Sequence, residues 1–137
     1  MAGAFRRTSR LVVLDTSALM SLYDKIPVFE LIEEAIGAYR CVVPSCVKDE
    51  LLKHARGPSI RKAKAALLAL ELVSKRCVET ACPSRSPVDD AVIAVAKEMS
   101  ALLATMDLEM ARRARRSGVP VLVYRSSKRR FISFVEV

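Results

Sequence analysis

Tryptophan is absent from the sequence, aromatic residues make up 5% of it, and His54 is the single histidine. So few aromatic rings argue against a binding surface built on base stacking, such as an RNA-recognition sheet. No apolar run approaches the roughly 18 residues needed to cross a bilayer. The first ten residues are too few and too basic for a signal sequence. We therefore expect a soluble, cytoplasmic protein without a membrane partner.

Hydrophobic residues make up 52% of the 137 positions, which is enough for one domain with a buried core. We expect a single domain over residues 1–137, with a basic tail at 1–10, a core at about 11–124 and a strand at 131–137. The net charge of +8 and the pI near 9.7 indicate an anionic partner, usually nucleic acid. Charge alone names no activity.

The four cysteines form two C-x4-C pairs, Cys41 with Cys46 and Cys77 with Cys82. This spacing is poor for a four-cysteine zinc site. We favour buried free thiols, with disulfides and a metal site as alternatives. Disulfides inside a cell would be typical of a hyperthermophile.

Strand and helix patterns alternate along the chain. Apolar strand candidates lie at 11–14, 39–43, 77–80, 102–105, 119–124 and 131–137, with helical patterns between the first five. Such alternation predicts an α/β fold with a central parallel sheet covered by helices on both faces. Functional side chains of such sheets collect at the carboxyl ends of the strands. Asp15 and Asp107 each follow a strand there.

Two helix starts supply further acids. Glu50 lies beside the apolar face that contains Val47, whereas Asp49 points elsewhere, so Glu50 is preferred. Ser86 and Asp89 have the spacing of a capping box, which would give Asp89 a structural task. Asp90 points about 100° further around the helix. We therefore predict that Asp90 faces the functional site and that Asp89 caps the helix.

Four carboxylates at one sheet edge would repel one another unless a cation lay between them. Carboxylates without histidine or cysteine select Mg²⁺ or Mn²⁺. Such an ion in a basic protein suggests phosphodiester hydrolysis, in which the metal activates water and neutralises charge developing on phosphate. His54 is then expected to be structural, since metal-activated water needs no imidazole base.

Four segments, "VVLDTSALM", "VPSCVKDEL", "SPVDDAVIAVA" and "LLATMDLEMARRARRSGVPVLVY", resemble the motifs of PIN-domain ribonucleases in order and spacing. The resemblance spans about Leu11 to Tyr124 and implies a three-layer α/β/α sandwich that cleaves single-stranded RNA with Mg²⁺ or Mn²⁺. The catalytic and metal-binding acids it implies are Asp15, Glu50, Asp90 and Asp107. Ser17 and Thr105 match its supporting hydroxyls and would orient the acids or water, or merely cap helix and strand ends. Glu109 is the only candidate for a further acid.

The basic residues are concentrated in "HARGPSIRKAK", "ARRARRS" and "RSSKRR". As RNA contacts they would hold phosphates without reading sequence, and as ordinary surface they would be solvated helix faces. The candidates for RNA binding are Arg61, Lys62, Lys64, Arg112 and Arg113.

Three roles stay open. The last two motifs look most like archaeal PIN proteins related to the small-subunit processome endonuclease, which implies ribosomal RNA maturation. Toxins of toxin–antitoxin pairs share the same acids, and an antitoxin would then be a partner. A non-cleaving RNA- or ribosome-binding module could also keep the fold. The resemblance further implies a possible homodimer, in which "FISFVEV" either pairs across an interface or completes the sheet.

Overall fold

The computed structural model describes residues 10–83 and 86–134, in which strands and helices alternate. The strands are β1 Arg10–Leu14, β2 Tyr39–Pro44, β3 Cys77–Thr80, β4 Leu102–Thr105, β5 Val121–Arg125 and β6 Arg130–Ser133. The helices are α1 Thr16–Met20, α2 Val28–Ile36, α3 Ser45–Ala55, α4 Ile60–Arg76, α5 Val88–Glu98 and α6 Leu108–Arg116, and a 3-10 turn spans Ser21–Asp24. The α/β fold with a central sheet is confirmed.

The six strands lie in the order β3-β2-β1-β4-β5-β6. All neighbours are parallel except β5 and β6, which are antiparallel. From β1 the chain moves outward through β2 and β3, and then returns to place β4 on the other side of β1. The strand order therefore reverses between β1 and β4. Ligands of open parallel sheets bind beside the carboxyl ends of the strands at such a point.

Both faces of the sheet are covered. Val12, Val13 and Leu14 are consecutive in β1 and all fully buried, although neighbouring side chains of a strand point to opposite faces. Helix boundaries follow local chemistry: Ser59 accepts a hydrogen bond from the Lys62 amide at the start of α4, and Gly37 ends α2 at a positive φ of 85°. These signals explain why the sequence pattern located the elements well.

The sequence predicts a last strand over residues 131–137. The observed strand, β6, begins at Arg130 and ends at Ser133, and it completes the sheet by pairing with β5. Residues 135–137 and the predicted basic tail up to residue 9 lie outside the described residues. Arg10, which the prediction placed in that tail, is the first residue of β1. Across the described ranges, no helix is both long and apolar enough to span a bilayer.

The preference for free thiols is wrong, since all four cysteines are paired. Cys41 of β2 and Cys77 of β3 are register partners with Cα atoms 4.6 Å apart. Cys46 of α3 bonds to Cys82, with Cα atoms 5.8 Å apart. Both bridges join residues separated by 36 positions. Because β2 and β3 are parallel, the two chain segments run in the same direction, and five residues after Cys41 and Cys77 their positions are again close enough to be bridged. The equal C-x4-C spacings reflect this geometry.

Candidate metal centre

Asp15 follows β1 directly and caps α1. Its Oδ1 accepts hydrogen bonds from the Ala18 amide at 3.0 Å and the Ser17 hydroxyl at 2.8 Å. Its Oδ2 accepts one from the Thr105 hydroxyl at 2.5 Å. The Asp15 side chain, which is only 6% exposed, is therefore held by hydrogen bonds to both of its carboxylate oxygens.

Ser17 and Thr105 both lie beside Asp15. Their hydroxyl oxygens are 3.2 Å apart, and each also accepts a backbone amide, from Met106 at 3.1 Å and Asp107 at 3.0 Å respectively. Because each hydroxyl has one proton and donates it to Asp15, the two oxygens form a clamp around that carboxylate. The clamp joins the end of β1 to the end of β4.

Asp107 is the N-cap of α6. Its Oδ1 accepts the amides of Glu109 at 2.9 Å and Met110 at 3.3 Å. Glu50 lies in α3, and its Oε1 accepts a hydrogen bond from the Thr16 hydroxyl of α1. Asp49, the neighbour that the sequence analysis rejected, is exposed. Thr16 was not among the predicted site residues, and no spacing rule singled it out.

The structure places Asp89 and Asp90 in the lining of different cavities. Asp89 lies with the other acids, while Asp90 is paired with Arg113 and lines a different groove between α5 and α6. The capping box does not form. It requires the serine at the N-cap, but the N-cap of α5 is Pro87 and Ser86 precedes it by one residue. Asp89 is therefore free of the capping task that the sequence assigned to it.

Helical periodicity gives Asp89 more buried neighbours than Asp90, although the difference is small. Three and seven residues after Asp89 come Val92 and Ala96, which are both buried. Four and seven residues after Asp90 come Ala94 and Lys97, which are both exposed. Ile93, which is also buried, lies four residues after Asp89 and three after Asp90, so both acids border the buried side of the helix. Their side chains are similarly exposed, at 58% for Asp89 and 51% for Asp90.

The acids meet at a cavity of about 260 Å³ at the carboxyl end of the sheet. We call it the acid cavity. Its lining consists of four carboxylates, two hydroxyls and two valines: Asp15, Glu50, Asp89, Asp107, Thr16, Ser17, Val88 and Val92. Elements from four separate parts of the sequence thus converge at the point where the strand order reverses.

The electrostatics of the acid cavity favour a bound cation. Burial raises the pKa of Asp15 to about 6, against the hydrogen bonds from Thr105, Ala18 and Ser17, which lower it. Burial also raises the pKa of Asp89, and the charges of Asp107, Glu50 and Asp90 act in the same direction. Arg113, 3.5 Å from an Asp89 oxygen, lowers that pKa. A divalent cation would relieve both the desolvation and the repulsion.

The carboxylates line one cavity, but their oxygens are not arranged as ligands of a single ion. In residues 10–83 and 86–134, no group of three or more histidine, cysteine, aspartate or glutamate side chains is positioned to hold a metal ion. Thr16 and Arg113 instead hold Glu50 and Asp89 in contacts with protein groups. The donor set, made of carboxylates and hydroxyls, nevertheless fits the oxygen preference of Mg²⁺ and Mn²⁺.

The predicted RNA-binding residues fall into separate groups. Arg61 pairs with Asp24, and Lys62 lies beside it in a second cavity. Lys64 is exposed on α4. Arg112 lies 3.6 Å from Glu109, and Arg113 contacts both Asp89 and Asp90. Arg113 is thus engaged with acids of its own chain.

Glu109, the candidate for a further acid, is not part of the lining of the acid cavity. Its carboxylate instead lies within 4 Å of two arginines of the same helix, Arg112 and Arg116.

Fold and site together define an α/β domain with an acidic cavity at the carboxyl end of a mostly parallel sheet. The chain matches the sequence profile of the PIN-like domain over residues 12–127 and belongs to that family. It is 32% identical over 129 residues to Ribonuclease VapC9 of Archaeoglobus fulgidus, covering 93% of this chain and 92% of that protein.

Two of the solved structures that match this chain illustrate its fold. The PIN domain endonuclease Utp24 matches with a TM-score of 0.72 at 24% identity, over 93% of this chain and 94% of that one. VapBC2 from Rickettsia felis, bound to a DNA fragment from its promoter, matches with a TM-score of 0.66 at 14% identity, over 84% and 99%. At these identities both comparisons show the fold alone.

Proposed function

We propose that this protein is a divalent-metal-dependent endoribonuclease that cleaves single-stranded RNA. The observation that carries the proposal is the acid cavity, where four carboxylates from distant segments meet at the reversal point of the sheet. The relationship to Ribonuclease VapC9 supports RNA as the substrate class. The net charge of +8 supports a polyanionic partner.

Asp15, Glu50, Asp89 and Asp107 are the residues that would hold Mg²⁺ or Mn²⁺. When bound, such an ion lowers the pKa of a water molecule and neutralises charge that develops on the phosphate. The Ser17 and Thr105 hydroxyls fix the Asp15 carboxylate, so its orientation does not depend on the ion. Glu50 and Asp89 would have to leave Thr16 and Arg113 to join the ion.

Arg113 has two tasks in this proposal. Without an ion it compensates the charge of Asp89 and Asp90 from the flank of the cavity. If Asp89 held an ion, Arg113 would keep its pairing with Asp90 and could offer its remaining donors to an RNA phosphate at the flank of the cavity. An arginine there contacts phosphate without reading sequence.

The direct test is cleavage of a labelled single-stranded RNA by the purified protein in Mn²⁺, with EDTA and the Asp15→Asn variant as controls. We expect products only with the metal and the intact acid, and slower cleavage of the same strand in a duplex. A protein that binds this RNA but does not cleave it in either Mg²⁺ or Mn²⁺ would support the non-cleaving module instead.

Two biological roles remain proposals. The resemblance of the sequence to processome-related PIN proteins favours ribosomal RNA maturation, and the relationship to Ribonuclease VapC9 gives a toxin role equal support. Depleting a maturation enzyme causes precursor ribosomal RNA to accumulate. Expressing a toxin arrests growth, and a small protein encoded beside it relieves the arrest. The cytoplasmic location and the homodimer stay predictions.

A further inference from the structure

A second cavity of about 330 Å³ adjoins the acid cavity. Ser17 lines both, and Met106, between Thr105 and Asp107, lines the second. This cavity, which we call the Tyr23 pocket, has a volume in the range of about 300–1,000 Å³ typical of ligand sites. The pocket borders the clamp that holds Asp15, because Ser17 belongs to both, so one extended ligand could reach the pocket and the acid cavity together.

The walls of the Tyr23 pocket combine flat apolar surface with charge. Met20 and Met106 supply apolar contacts, and Tyr23 supplies an aromatic ring. The Arg61 guanidinium lies 5.6 Å from the centroid of that ring and also pairs with Asp24. Aromatic rings and guanidinium planes are the groups on which unpaired bases stack.

Positive charge borders the mouth of the pocket. Arg61 and Lys62 are both exposed and both line it. The side chain of Arg61 is 69% exposed, so its pairing with Asp24 is weak and can be exchanged for a phosphate. The pocket thus presents a planar apolar wall for a base, with cations at the rim for the backbone.

We propose that the Tyr23 pocket receives one base of the RNA strand whose backbone crosses the acid cavity. The proposal rests on the proposed function for the identity of the strand. It explains how a protein with few aromatic residues can prefer an unpaired strand, because a base inside a duplex is unavailable to a pocket. One pocket holds one base, which differs from the extended stacking surface that the composition argues against.

The test measures binding without cleavage, in EDTA and at low salt. Two probes are compared: an oligoadenylate ten nucleotides long, and an abasic ribose–phosphate chain of the same length. The wild-type protein should bind the oligoadenylate about tenfold more tightly, in line with the effect of stacking one base. Tyr23→Leu should reduce this ratio to below about twofold, and Tyr23→Phe should keep it.

Arg61→Gln and Arg76→Gln form a matched pair at the two ends of α4. Arg76 also lies over an aromatic ring, 4.6 Å from the Phe29 centroid, and also pairs with an acid, Glu30. Arg61→Gln should lower the ratio because it removes the guanidinium beside the Tyr23 ring, whereas a phosphate contact would affect both probes equally and leave the ratio unchanged. Arg76→Gln should leave the ratio unchanged. Because Arg61 is exposed, this variant tests the pocket even if Tyr23→Leu does not fold.

A ratio that is unaffected by both Tyr23→Leu and Arg61→Gln would overturn the pocket, as would equal binding of the two probes or no binding of either. These outcomes do not depend on cleavage. A protein that cleaves RNA in Mn²⁺ but shows no base-dependent binding keeps its proposed function and loses the pocket. The opposite pair of results would leave a base-binding protein without nuclease activity.

Discussion

The Thr105 hydroxyl donates a hydrogen bond of 2.5 Å to Asp15 Oδ2, across 90 positions of sequence. It also accepts the Asp107 amide at 3.0 Å. One buried hydroxyl therefore sets the position of two acids that end neighbouring strands. The sheet therefore positions Asp15 and Asp107, whereas Glu50 and Asp89 come from helices.

We predict that Thr105→Val lowers the rate of RNA cleavage about tenfold, as expected when a group that orients a metal ligand is lost. The variant keeps the shape of the side chain but leaves a buried carboxylate oxygen and a backbone amide without their partner. The free energy of unfolding should fall by about 1–3 kcal/mol. Cleavage assays and urea denaturation measure the two effects.

Thr105→Ser is the matched rescue, since it restores the hydroxyl, and Thr80→Val at the end of β3 is the control away from the site. Equal cleavage rates for Thr105→Val and Thr105→Ser would show that the hydroxyl does not position the acids.

The acidic centre is expected to reduce stability when no metal is bound. The pKa of Asp15 rises to about 6 from an ordinary value of 3.8, so the folded state holds this proton more tightly than the unfolded state. The free energy of unfolding must then fall as the pH rises from about 4 to about 6, by about 2–3 kcal/mol in total. Asp15→Asn removes this penalty.

In EDTA, Asp15→Asn should therefore be about 2 kcal/mol more stable than the wild type at pH 7.5 and no more stable at pH 4. Urea denaturation at the two pH values measures the difference. Mn²⁺ should stabilise the wild type more than the variant, since a ligand that binds only the folded state adds to its stability. A variant that is less stable at both pH values would contradict the assigned shift.

The two disulfides should contribute strongly to stability. Each closes a loop of 36 positions, but while one is present the other closes only a short loop. In the chain-entropy description, replacing one cysteine pair by alanine costs about 3 kcal/mol, and replacing both costs about 6–7 kcal/mol. Denaturant titration of the two double variants and the quadruple variant measures these losses.

A reducing agent should lower the denaturation midpoint of the wild type and leave that of the quadruple variant unchanged. Four titratable thiols in the native protein, with no change of midpoint on reduction, would restore the free-thiol interpretation that composition favoured.

The sequence predicted the elements of this site better than their mutual arrangement. Alternating patterns located the strands, so Asp15 and Asp107 were expected at one edge of the sheet. The preference for Asp90 over Asp89 rested on a capping box that does not form, and Asp89 is the one that lines the acid cavity. Thr16 could not be found in this way, because its role depends on how close α1 lies to α3.

The disulfides show a similar limit. The spacing from Cys41 to Cys46 equals that from Cys77 to Cys82, but this equality has meaning only once β2 and β3 are known to be parallel neighbours. Pairing between strands is a long-range property that local patterns do not specify.

The central claim is that four carboxylates converge on one hard cation, and the adjacent pair Asp89 and Asp90 tests it most directly. Titration of Mn²⁺, followed by electron paramagnetic resonance of the free ion, measures the affinity of the wild type, Asp89→Asn and Asp90→Asn. We predict that Asp89→Asn weakens Mn²⁺ binding by at least about tenfold, and that Asp90→Asn changes it by less than about threefold. The reverse order, or an affinity that neither Asp89→Asn nor Asp15→Asn alters, would contradict this account.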